Sequence, residues 1–212
     1  MVRSDIEEFI KTIPDNVVIV AASKYVEAED VRHLLDAGIN NIGENRVDSF
    51  LHKYELLNNC DVTWHFIGHL QRNKALEVID KIDYLHSLDS LKLASIINTN
   101  RKSPLKCFVE VSINLEENKN GVPYFEAKTF FKELLKMKNI NCVGLMMMAV
   151  NHSDESSLDE QFEKLRVLRD ELEKEFNIKL PYLSMGMSDD YQVALRHGAT
   201  HIRLGRILFN LL

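Results

Sequence analysis

Glycine and proline are scarce, eight and four in 212 residues. That excludes the disordered and low-complexity classes, which are rich in such residues. Cysteine is scarcer still. Cys60, Cys107 and Cys142 are odd in number, widely spaced and form no CxxC, so neither a disulfide framework nor a thiolate metal knuckle is indicated. The expectation is reduced thiols in a cytoplasmic protein, two of them within strands. No apolar run is long enough to span a bilayer, and the N-terminus lacks a signal-peptide pattern. With a formal charge of -6 and no basic stripe, nucleic-acid binding is not indicated. GxGxxG, P-loop and nucleophile-elbow motifs are missing too. What is present is ordinary for a soluble globular protein: 45% hydrophobic and 27% charged residues, enough for a substantial core.

The most informative segment is Val17-Val18-Ile19-Val20-Ala21-Ala22-Ser23-Lys24. Seven small or β-branched residues in a row read as a strand buried on both faces, as in parallel sheets. Lys24 closes it where the strands of an α/β fold open onto ligands. Partial desolvation there would depress the amine's pKa and make it nucleophilic toward carbonyls. Taken alone, the segment is also satisfied by a lysine that ends a strand and reaches back to water.

Strand-like and helix-like segments alternate along the whole chain. Ser4-x-x-Glu7 reads as a capping box before a first helix carrying Ile6, Phe9, Ile10 and Ile13. Strands are predicted at 17–23, 41–43, 63–67, 82–87, 105–112, 142–147, 182–184 and 201–204. Helices follow near 27–37, from about 47 to 57, at 71–79, after a cap at Asp89, and around 124–137. The clearest helix carries Leu158, Phe162, Leu165, Leu168, Leu172 and Phe176 at steps of three and four; the last begins near Ser188 and stops at Gly198. Eight strand–helix units imply a parallel sheet closed into a (β/α)8 TIM barrel with an extra N-terminal helix. No linker, repeat or composition break divides the chain, so residues 1–212 read as one domain, with monomer as the default state.

Chemistry in such barrels gathers at the C-terminal ends of the strands. Those ends carry Lys24, Glu44-Asn45, His65 to His69, Met146 to Met148, Ser184-Met185-Gly186-Met187-Ser188 and Gly205-Arg206. The loops after strands seven and eight often bind phosphate. Ser184, Gly186 and Ser188 offer hydroxyls and a bare backbone beside a helix start, Gly205 admits close approach, and Arg206 adds charge. Singly, Ser188 is also explained as an N-cap and Gly186 as a tight turn. A phosphate site opposite an activated lysine points to a phosphorylated aldehyde or ketone, either pyridoxal 5′-phosphate or a sugar phosphate. Arg203 lies inside the last strand. Its guanidinium can only donate, so facing a pyridine nitrogen it would keep that nitrogen unprotonated and weaken the ring as an electron sink. A buried ion pair with Glu44 or Glu110 would account for it equally well. His65 and His69 straddle a strand end rather than share a helix face, so a metal site is not expected. The methionine run reads as packing, Lys119-Asn120-Gly121 as a turn and Glu116-Glu117 as solvated loop.

The segments AASKYVEAEDVRHLLDAGINNIGENRV, WHFIGHLQRNK, EENKNGV, GLMMM and LSMGMSDDYQVALRHGATHIRLGR, in that order from about residue 6 to 209, resemble the pyridoxal phosphate homeostasis protein family. That family is of the alanine-racemase N-terminal-domain type. The resemblance implies pyridoxal phosphate held as a Schiff base on Lys24, its phosphate at Ser184 to Ser188 and Gly205-Arg206, Arg203 at the pyridine nitrogen and Asn45 near the ring. It further implies a non-catalytic carrier that passes cofactor to pyridoxal phosphate-dependent apoenzymes. The alternative is a racemase, which in this barrel type resembles a two-domain protein whose second domain and partner subunit complete the site. The family commonly has Thr in place of Arg206 and Pro in place of His69, and usually ends in Gly and a basic tail where this chain has Phe209 to Leu212.

Overall fold

The computed structural model describes residues 1–113, 120–150 and 152–209. Among the described residues nine strands form one sheet: β1 (Val18–Ala22), β2 (Asn41–Glu44), β3 (Thr63–Phe66), β4 (Tyr84–Leu88), β5 (Leu105–Ser112), β6 (Val122–Pro123), β7 (Ile140–Met146), β8 (Tyr182–Met187) and β9 (His201–Leu204). Every neighbouring pair is parallel. The order β4-β3-β2-β1-β9-β8-β7-β5, closed by β4 against β5, makes the predicted eight-stranded barrel; β6 is a two-residue addition at the edge of β5. At the β5 exit, Glu116, Glu117 and Lys119 lie outside the described residues, as do Asn210 to Leu212.

Helices α1 (Ile6–Ile10), α2 (Ala28–Asp36), α3 (Val47–Leu56), α4 (Ala75–Val78), α5 (Leu91–Asn100), α6 (Ala127–Leu134), α7 (Glu155–Phe176) and α8 (Tyr191–Arg196) alternate with the barrel strands. The longest, α7, buries Phe162, Leu165, Leu168 and Leu172, the stripe its sequence dictates. It is capped by Asp154, which accepts from the Ser157 N–H at 2.8 Å. On α3, Phe50 is fully buried with its ring edge-on to Trp64 and Phe66 of β3, at 5.3 and 6.5 Å. Burial of such a ring contributes roughly 1.5–3 kcal/mol.

Three predicted helix starts differ. Asp5, not Ser4, precedes α1, and its carboxylate pairs with Arg3 instead of capping. Ser90 caps α5 through the Leu93 N–H, because Asp89 is engaged by His69 at 2.9 Å. The predicted 71–79 helix is a 3-10 turn (Arg72–Lys74) running into the short α4.

Candidate functional site

The C-terminal mouth is built first by β1. The strand ends at Ala22 and the chain turns outward, so Lys24 is exposed, its Nζ 4.7 Å from the centroid of the Tyr25 ring. The partial desolvation expected from the sequence is therefore not found: the turn carries the amine clear of the wall that would have buried it. Behind it lies a polar knot that the sequence did not reveal. Ser23 donates from Oγ to Glu44 Oε1 at 2.7 Å. Lys53 of α3 is 4% exposed; its amine donates to the Ser23 carbonyl at 2.6 Å and pairs with Glu44 Oε1. A buried pair of this kind needs its remaining valences satisfied, and Ser23 supplies both a donor and an acceptor. The residue next to Lys24 is thus anchored to β2 and α3.

Register places the neighbouring groups. Ala22 faces Gly43 of β2, and Ala21 faces Leu204 of β9, so Gly205 lies level with Ala22 at the rim. Gly68 lets the β3 exit run against Asn45; a Cβ there would come within 2.2 Å of the Asn45 carbonyl. Among the described residues, Asn45 Oδ1 is a buried side-chain oxygen left without a hydrogen-bond partner, a costly state unless a ligand donor satisfies it.

Arg203, on β9 beside Val20 of β1, is 5% exposed. Nη1 donates to the Ser184 carbonyl and hydroxyl at 2.8 and 2.6 Å, and Nη2 to the Met147 carbonyl at 2.8 Å. Burial lowers its pKa to about 10, opposed by the charges of Glu110 and Asp190; it remains a cation at neutral pH. No ion pair with Glu44 or Glu110 forms; carbonyls and a hydroxyl do that work.

Ser184 is fully buried and commits its hydroxyl to Arg203 and to His86, at 2.8 Å, so it acts inside the barrel and not at the rim. Gly186 has φ +93° and lies under α8, where a Cβ would be 2.8 Å from that of Ala194; only glycine fits there. Ser188 is not the cap of α8, which begins after Asp190; its Oγ accepts from the Gly205 N–H at 3.3 Å. Arg206 is exposed and pairs with Asp189. His69 faces Asp89 on the rim while His65 lies in the interior. Met146 and Met147 are buried, as expected of packing residues, but Met148 is exposed.

Glu110, near the end of β5, is 4% exposed. Burial and then the neighbouring Asp89 push its carboxyl up to about 7, against the pull of Arg203 and His69. Below it, the lumen holds His65, His86 and His201 packed among Tyr84, Phe108 and Tyr182, where barrels usually place branched aliphatic residues.

Fold and site together define a barrel with an exposed amine at the exit of its first strand and a donor-only cation in its last. The alanine racemase N-terminal domain model matches residues 3–212. The chain is 41% identical over 197 residues to the pyridoxal phosphate homeostasis protein of Aquifex aeolicus, covering 90% of this chain and 85% of that one. It is 34% identical to the protein of the same name from Schizosaccharomyces pombe, over 99% and 89% of the two chains. PipY of Synechococcus elongatus superposes with TM-score 0.92 without PLP, at 31% identity over 99% of this chain and 100% of that one. Its form with PLP bound gives 0.87, at 30% identity over 96% and 99%. Alanine racemase from E. faecalis shares the fold alone, with TM-score 0.74 and 12% identity over 95% of this chain and 55% of the racemase. The chain belongs to the pyridoxal phosphate homeostasis protein family, of the alanine racemase N-terminal-domain type.

Proposed function

We propose that the protein binds pyridoxal 5′-phosphate as a Schiff base on Lys24 and acts as a cytoplasmic, monomeric, non-catalytic carrier or buffer that yields the cofactor to apoenzymes. The observation that carries this reading is the pairing of an exposed amine at the end of β1 with a buried, donor-only guanidinium on adjacent β9. The names of the relatives and the PLP-bound form of PipY support the same ligand. When bound, the cofactor supplies an aldehyde that condenses with an amine, releasing water, and a ring that delocalises negative charge.

The residues present fit that group. Lys24 offers the amine in open solvent, where water can also reverse the linkage. Arg203 can only donate, so facing a ring nitrogen it would hold that nitrogen unprotonated and leave the ring a poor electron sink. Asn45 Oδ1 has an acceptor to offer. At Gly205 a Cβ would meet only Ala22, at 3.6 Å, so the bare backbone there serves something other than packing. Gly186 sets the course of the loop to Ser188, whose hydroxyl, with Gly205 and Arg206, would form the phosphate end; Ser184 would contribute by fixing Arg203. Arg206 reaches a phosphate only by leaving Asp189.

Borohydride reduction of the loaded protein should place a pyridoxyl group on Lys24 by mass spectrometry, and Lys24→Ala should lose it. An adduct on another lysine refutes the assignment. A racemase is the second reading, and Glu110 is what favours it: a carboxyl titrating near neutrality in the mouth suits proton transfer. Racemisation of any amino acid that disappears in both Lys24→Ala and Glu110→Gln would establish it against the carrier.

A further inference from the structure

The strongest unassigned feature is a line of buried polar groups crossing the lumen. Arg203 Nη1 reaches Ser184 Oγ at 2.6 Å, Ser184 Oγ reaches His86 Nδ1 at 2.8 Å, His86 Nε2 reaches His65 Nδ1 at 2.8 Å, and His65 Nε2 reaches Asn41 Oδ1 at 3.0 Å. Ser184 and His86 sit on β8 and β4, which are not neighbours, so their bond spans the barrel interior. Asn41 opens β2 at the opposite end from the mouth.

Donor chemistry fixes the direction of every bond. Arg203 has no acceptor, so the Ser184 oxygen accepts from it and gives its single proton to His86 Nδ1. His86, held neutral by burial, must then carry its proton on Nε2 and donate to His65 Nδ1. His65 is neutral for the same reason and must donate from Nε2, where it finds the Asn41 carbonyl oxygen. The far end agrees independently: the Asn41 amide nitrogen is turned to Asn40 Oδ1, 2.9 Å away, leaving its oxygen for His65. A reversed chain would set a histidine N–H against the serine while leaving the serine proton without an acceptor among these partners.

We infer that Asn41, His65, His86 and Ser184 form a one-way hydrogen-bonded chain whose role is to hold Arg203 in place as a donor toward its ligand. The two histidines are positioning residues: single tautomers that carry orientation from the far end of the barrel to the mouth. Tyr84 stacks flat on His65, with centroids 4.6 Å apart, and Phe108 covers His86 at 4.3 Å, so neither ring is free to flip. The ligand side of this inference rests on the pyridoxal phosphate reading; the chain itself does not.

The test uses the full protein. Ring-nitrogen NMR of the ligand-free form should show both histidines as Nε2–H tautomers. In Asn41→Leu, which removes the terminal acceptor together with the bond to Asn40, His65 and His86 should become tautomer mixtures, whereas Asn41→Asp, which keeps an acceptor but also loses the donor to Asn40, should keep single tautomers. Loaded with pyridoxal phosphate, Asn41→Leu should shift the Schiff-base absorption band and weaken binding about fivefold, the scale of one net hydrogen bond. Asn41→Asp should bind as the parent does. Ser184→Ala is the second variant should Asn41→Leu fail to fold; it should release His86 from its tautomer in the same way. Parent histidines in Nδ1–H or mixed tautomers overturn the chain. Tautomers that respond while spectrum and affinity stay unchanged overturn its role toward the ligand. If no Lys24 adduct forms at all, the pyridoxal phosphate reading fails and the tautomer result stands alone.

Discussion

Acidification should destabilise the ligand-free protein through its lumen. Burial depresses His65 and His86 well below their ordinary range, with His201, Lys106 and Arg203 adding like charge. His201 falls to about 4, by burial and then Arg203. Each therefore stays neutral in the folded barrel at pH 5.5 while the unfolded chain takes up a proton near pH 6.5. Stability is present above that value and lost as pH falls below it. Between pH 7 and 5.5 the loss is about 1.3 kcal/mol per histidine, or about 4 kcal/mol for the three. Glu110 opposes this. Its carboxyl, raised to about 7 in the fold, binds a proton before the unfolded chain does, which returns about 1.6 kcal/mol over the same interval. Asp190, raised by burial, acts in the same sense. The net loss is about 2 kcal/mol, or about 1 M in the urea midpoint for a slope of about 2 kcal/mol/M. Glu110→Gln removes the opposing contribution, so its loss over that interval should approach 4 kcal/mol. A urea midpoint that is flat or rises on acidification would refute the neutral, buried assignment of the histidines.

Two further outcomes are expected. Lys53→Met should cost about 3–5 kcal/mol in chemical unfolding, because it strands the Glu44 carboxylate in the wall; the double variant with Glu44→Leu should recover most of that loss. Asp189→Asn should free Arg206 and tighten pyridoxal phosphate binding two- to fivefold in a fluorescence titration at low salt, an advantage that fades as salt rises.

The barrel was legible because alternation of strand and helix survives single-element errors. At three helix starts a nearby side chain has a partner other than the helix end: Asp5 with Arg3, Asp89 with His69, and Ser188 with Gly205. The candidate residues at the rim were readable from strand ends, and Arg203 from its apolar neighbours. His65, His86 and His201 were not. In a parallel barrel both faces of a strand are buried, so apolar pattern alone does not separate the lumen side from the helix side: Trp64 and Phe66 face the helices and His65, read as part of a strand end, faces the lumen. Polar residues recurring at every second position of several strands were the signal available. Lys53 gave none, since an amphipathic helix hides one inward lysine among its outward ones.

The anchoring of Ser23 sets apart two amines at one strand end. Lys53 approaches the same strand end as Lys24 but from behind the wall, 4% exposed and matched to a carboxylate. On the proposed reading, an aldehyde arriving from solvent would meet Lys24 and be denied Lys53. The difference between the two is one of access: the fold leaves one lysine outside and locks the other in.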